Sequence, residues 1–206
     1  MPIFNKSAKW FSLVFFTFSI TTAQATTLEI PPNKQLEHAI QQLLSRIDSN
    51  QQALDKFPDY MRVIIAEELT PLVNYQYMAY KILDEHLTKA TKAQKALFVA
   101  SIHHYLIKTH AKLLAQYTNQ KVTFSLSIPT IEQQVVDINT RVTNGSRTDT
   151  EIVFKMHKNK ANNQWQAIDM ILEGKSLLNT KQLELNPHIN KHGIEQVALE
   201  LYLLSK

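Results

Sequence analysis

The chain has 206 residues, a net charge of +4, 44% hydrophobic residues and no cysteine. Without a thiol it holds no disulfide, no thiolate zinc site and no cysteine nucleophile. The charge is too mild for a dedicated nucleic-acid binder, and three glycines are too few for a phosphate-cradling loop.

Lys6 and Lys9 precede an apolar run from Trp10 to Ile20, and Ala23-Gln24-Ala25 supplies the small-x-small pattern of a cleavage site. Residues 1–25 therefore read as a secretory signal peptide. The run is too short to cross ~30 Å of hydrocarbon at ~1.5 Å per residue. Cleavage removes both lysines and no acid, leaving a charge of +2. Residues 26–206 are expected to form one soluble domain with a core large enough to hold without disulfides.

After Pro31-Pro32, residues Leu36, Ile40, Leu43, Leu44 and Ile47 recur at helical spacing from Gln35 to about Asp48. Phe57-Pro58-Asp59 reads as the start of a second helix, with Asp59 as N-cap and Thr70-Pro71 as its end. A third, rich in tyrosine, is expected from Leu72 to about Leu87. Thr91-Lys92-Ala93-Gln94 is a capping box, in which hydroxyl and amide satisfy each other's free backbone donors. The long helix behind it should reach about Tyr117. Its stripe is read as Leu97, Ala100, His104, Ile107, Ala111 and Leu114, widened by Phe98, Ile102, Tyr105 and Leu113.

The period then changes from helix to strand. Val122, Phe124, Leu126 and Ile128 alternate with polar residues, as do Val136, Ile138, Thr140 and Val142. Asn144-Gly145-Ser146 supplies a turn before Ile152, Phe154 and Met156. The last strand, Gln164 to Leu172, should put Ile168, Met170 and Leu172 on one face and Trp165, Ala167 and Ile171 on the other. Short connections imply an antiparallel meander. Ser176 is expected to cap a helix to about Asn190, and Gly193 to separate a final helix. The fold class is α+β: an antiparallel four-stranded sheet wrapped by N- and C-terminal helices.

Several motifs in this order carry a resemblance: Gln94-Lys95-Ala96-Leu97-Phe98, Leu114-Ala115-Gln116-Tyr117, Trp165-Gln166-Ala167-Ile168-Asp169, Glu173-Gly174-Lys175-Ser176-Leu177 and His192-Gly193-Ile194-Glu195. Across most of the mature chain the sequence resembles the MlaC family, the toluene-tolerance phospholipid-binding proteins of the Gram-negative periplasm. It departs from that pattern in two places. Asp84-Glu85-His86-Leu87 stands where the family usually has an aromatic-Trp-Arg group, and Asn179-Thr180-Lys181 where it often has an aromatic-Arg pair.

The resemblance implies that sheet and helices enclose an apolar cavity for the acyl chains of a phospholipid. It implies as partners an outer-membrane lipoprotein–porin complex and an inner-membrane ATP-driven lipid transporter, with outer-membrane lipid asymmetry as the purpose. On that reading the sheet supplies the lining: Val136, Ile138 and Val142, then Ile152, Phe154 and Met156, then Ile168 and Met170. Leu97 and Tyr105 add to it from the long helix, and Lys175 or Lys181 would stand near the head group. From periodicity alone the same apolar residues read as solid core.

The rival is a small periplasmic hydrolase on a cone-shaped α+β fold. Gly174-Lys175-Ser176 lacks the second glycine of a nucleophile elbow, so Ser176 reads as a helix cap. Asp169 reads as a structural hydrogen-bonding residue. His103, His104 and His110 read as surface or groove histidines, and His188 and His192 have no evident third ligand. No catalytic residue, metal or cofactor is expected.

Overall fold

A computed structural model describes residues 30–117, 120–125, 133–143, 149–160 and 162–206. The expected signal peptide, Leu126 and Ile128 of the first strand, and the Asn144-Gly145-Ser146 turn lie outside the described residues. Among the described residues no helix is long and apolar enough to cross a membrane.

Helix α1 spans Pro32–Ser49, its first turn set by a proline whose missing N–H costs nothing there. α2 (Gln51–Lys56) and α3 (Tyr60–Glu68) follow. Asp59 precedes α3, but its backbone is already helical and its side chain makes no capping hydrogen bond. The expected Asp59 cap is therefore not formed. The next helix starts later than its apolar pattern suggests: α4 is Tyr75–Leu83, with Asn74 Oδ1 accepting from the Tyr77 N–H. Pro71 explains the delay, because the chain turns through residues 69–72 and then bonds to the sheet before the helix can start. The Ala167 N–H donates to Leu72 O and the Asn74 N–H to Ala167 O, at 2.7 and 2.9 Å. This closes part of an otherwise bare strand edge.

A 3₁₀ turn at Asp84–His86 leads to α5 (Lys92–Leu114), where both halves of the Thr91–Gln94 capping box are formed. Helix α5 is rolled relative to its expected stripe. Phe98, Ser101, Ile102, Ile107 and Ala111 are buried, while Leu97, Ala100, His104 and Leu113 are exposed.

The strands are β1 (Lys121–Phe124), β2 (Val135–Thr143), β3 (Thr150–Lys158), β4 (Trp165–Leu172) and a two-residue β5 (Lys175–Ser176). They pair antiparallel in sequence order, so the expected meander gains a short fifth strand. Glu173 and Gly174 join β4 to β5 with φ of 48° and 77°, the positive values that a two-residue hairpin turn requires. A bulge corrects the expected faces of β4. Ala167 pairs with Met156 and Asp169 with Lys155, leaving Ile168 as the extra residue. Trp165 and Ala167 thus share the apolar face with Met170 and Leu172.

Ser176 caps α6 (Leu177–His192), and Gly193 at φ 81° separates it from α7 (Ile194–Leu204). Three apolar clusters result. One joins α4, α5, α6 and α7. A second joins α1, α2, α3 and α5. The third packs Leu36 of α1 and Leu72 against Val136, Ile138, Met156, Trp165 and Ala167 of the sheet.

Candidate functional site

Pairing register assembles one continuous apolar sheet face. Val136 faces Met156, Ile138 faces Phe154, and Phe154 faces Met170. Ile152 lies between Thr140 and Leu172, and Val142 between Val122 and Thr150. The centre of this face is sealed, with Ile138 and Met156 both 0% exposed. Ile168 is buried at the bulge. The structure does not bring the two residues of α5 to this face. Leu97 is 44% exposed, and Tyr105 packs into the α4–α7 cluster. A helix admits only one buried stripe of this width, and Phe98 with Ile102 occupies it.

Beside the sealed centre lies an open cleft of about 530 Å³. Ile40, Gln41, Leu44, Ser45, Asp48 and Ser49 of α1 form one wall, and Val122 and Phe124 of β1 the other. Ile40 and Phe124 also pack against the sheet-face cluster, and Leu44 against the cluster under α1. The cleft is thus apolar toward the core, while Gln41, Ser45, Asp48 and Ser49 supply polar groups to its lining. The wall formed by α1 is held mainly through side chains. Gln35 Nε2 donates to Trp165 O at 2.9 Å, and Arg46 pairs with Glu67 and, at 2.7 Å, with Glu68. The sequence reading missed this wall. Its signal was Ile40 and Leu44, apolar residues beside the stripe of Leu36, Leu43 and Ile47.

The polar groups elsewhere do structural work. Asp169 accepts from Ser176 Oγ at 2.6 Å, from the Leu178 N–H at 3.0 Å and from the Met170 N–H at 2.8 Å. Ser176 Oγ in turn accepts from the Asn179 N–H at 2.9 Å. Together they hold the N-terminus of α6, where backbone donors have no helical partner. Lys181 bonds Glu184 and the Tyr105 hydroxyl, and neither it nor Lys175 lines the cleft. Burial draws its ammonium down, but those two hydrogen bonds outweigh that and raise its pKa.

His103 sits 3.2 Å from Thr70 Oγ1 and edge-on to Tyr75, whose buried hydroxyl is pushed up to about 12. Burial, with His104 nearby, lowers the His103 pKa, and burial alone lowers that of His110. His188 and His192 stack on each other at 6.3 Å. Among the described residues no group of three or more His, Asp or Glu side chains is placed to hold a metal.

The family model described as MlaC protein matches residues 37–202. The "Intermembrane phospholipid transport system binding protein MlaC" of Haemophilus influenzae is 24% identical over 195 residues, covering 94% of this chain and 91% of that protein. Among solved structures, a phospholipid-binding protein of Ralstonia solanacearum in complex with a phospholipid matches with a TM-score of 0.75. That match has 17% identity and covers 86% of this chain and 100% of the other.

Proposed function

The chain belongs to the MlaC protein family, and we propose that it carries a phospholipid through the periplasm with the acyl chains lodged between α1 and the apolar face of the sheet. The observation that carries this reading is the cleft, two of whose lining residues, Ile40 and Phe124, pack against the apolar cluster of that sheet face. It is a periplasmic lipid-binding protein of a transport system.

The physical problem is water. Each exposed methylene costs about 0.8 kcal/mol, so two chains of about sixteen carbons cost on the order of 25 kcal/mol gross. An apolar cavity cancels most of this, and net direction then comes from the docking partners. We assign those roles to an outer-membrane lipoprotein–porin complex and an inner-membrane ATP-driven lipid transporter. The cleft of about 530 Å³ is smaller than two such chains need, since single-ligand pockets alone reach ~1,000 Å³. Loading therefore requires α1 to move away from the sheet and turn buried face residues such as Ile138 and Phe154 into lining. The head group stays among Gln41, Ser45 and Ser49 in contact with water, because an unpaired buried phosphate is costly. The hydrolase alternative gains no support, since Asp169 and Ser176 are committed to the cap of α6.

The test uses a chain with no native cysteine. Leu44→Cys with Val122→Cys, bridged by a short bis-maleimide, ties α1 to β1 across the cleft. Purified unbridged protein should release phospholipid on organic extraction and reload from vesicles after delipidation. The bridged protein should not reload. Equal loading of the two forms would place the lipid elsewhere.

A further inference from the structure

A second pocket, also of about 530 Å³, lies on the α6 side of the molecule and shares no lining residue with the cleft. Asn179, Gln182, Leu183, Asn186, Pro187 and Asn190 of α6 line it, together with Asp84 at the end of α4. The α6 residues recur every three or four positions, which puts them along one side of the helix.

The chemistry of this pocket is one-sided. Asp84 is the one charged side chain that lines it. That residue follows the last turn of α4, where terminal carbonyls lack helical donors and the helix dipole is negative. Pro187 sits inside α6 and has no N–H, so the Leu183 carbonyl one turn earlier receives no helical hydrogen bond. Asn186 Oδ1 is buried without a partner. Among the described residues, the side chains of Asp84, Asn179, Gln182 and Asn190 also make no hydrogen bond or ion pair. Exposed amides such as Gln42 and Gln52 are unpaired as well, so what sets this pocket apart is the buried, unpartnered Asn186 Oδ1 in the same lining as the Asp84 carboxylate. Leu183, 77% exposed, adds an apolar surface to this row of acceptors.

We propose that this pocket is a docking socket for a basic side chain, arginine or lysine, presented by a partner protein. The carboxylate of Asp84 and the negative end of α4 meet the charged head. The amide oxygens of α6 take its remaining N–H donors, and Leu183 takes the aliphatic stem, the division such side chains favour. A stem-and-head ligand held by an exposed leucine beside a carboxylate is the pattern of an interface anchor, where arginine is enriched. Asp84 and Asn179 belong to the two stretches in which this chain departs from the family pattern, and the fold brings these stretches together. The proposal does not depend on where the lipid sits.

The probe is acetyl-arginine amide, titrated into the full mature chain labelled with ¹⁵N. Saturable shifts should appear at the side-chain amides of Asn179, Gln182, Asn186 and Asn190. Acetyl-citrulline amide, of the same shape without the charge, should bind at least tenfold more weakly. Asp84→Asn should weaken the arginine probe at least tenfold and leave lipid content and melting temperature unchanged. Asparagine tolerates the positive φ of 46° at this position, so the variant should fold. Equal binding of the citrulline probe, shifts scattered away from α6, or full binding by Asp84→Asn would each overturn the proposal. Spermidine binding more tightly than the arginine probe would assign the pocket to a small polyamine and overturn the protein partner.

Discussion

At the scale of single residues, Asp169 and Ser176 show how a pair that looks reactive in sequence is consumed by local structure. Ser176 lends its hydroxyl to both neighbours, accepting from Asn179 and donating to Asp169. Ser176→Ala should cost about 1 kcal/mol, the usual value of an N-cap. Asp169→Ala should cost more, about 1–3 kcal/mol, because it strands the buried Leu178 N–H as well. Chemical denaturation of delipidated protein gives that order, and the reverse order would disprove the cap assignment. His110 carries a second prediction. Its Nδ1 is buried without a partner and burial lowers its pKa. The unfolded chain, with an ordinary value of ~6.5, then binds the proton more readily. The stability from a neutral His110 is fully present above ~6.5 and is lost as pH falls through the lowered folded value. His110→Leu should flatten that loss between pH 7.5 and 5, read by urea midpoints at each pH. An unchanged slope would show that other groups set it.

At the scale of elements, most local signals were legible, the cap expected at Asp59 being an exception. The Thr91–Gln94 box and the Ser176 cap need only residues three apart, and both form. Alternation placed Val136, Ile138, Phe154 and Met156 on one face because β2 and β3 are regular. It failed on β4, where one extra residue at Ile168 reverses the parity and no composition marks the bulge. It also failed on α5, since two overlapping stripes satisfy helical spacing and only the positions of α4 and α7 choose between them. The residues of α1 could not be assigned to the cleft without knowing that β1 lies opposite. A pair of tryptophan substitutions separates core from cleft. Ile138→Trp, at a sealed position, should overpack and cost ~1–3 kcal/mol in delipidated protein. Ser45→Trp, on the exposed wall of the cleft, should change stability by no more than about 0.5 kcal/mol while lowering the phospholipid that co-purifies. If Ser45→Trp retains its full lipid content, α1 is not the wall.

At the scale of the whole molecule, the three clusters divide the labour. The α4–α7 cluster contains no residue of the sheet or of α1, while α1 contributes to both of the others. Opening the cleft by moving α1 thus costs contacts in both of those clusters and leaves the α4–α7 cluster intact. Hydrogen exchange on loaded and delipidated protein tests that division. Amides that exchange only by global unfolding should slow throughout on loading, because a ligand bound to the folded state stabilises all of it. The discriminating amides are those that exchange by local opening. In delipidated protein these should lie in α1 and β1, which flank the cleft, and lipid should protect them far more than those of α6 and α7. Protection gained in α6 and α7 with α1 unchanged would move the lipid to the other end of the fold. It would also make the amide-lined pocket on α6 the place to look for it.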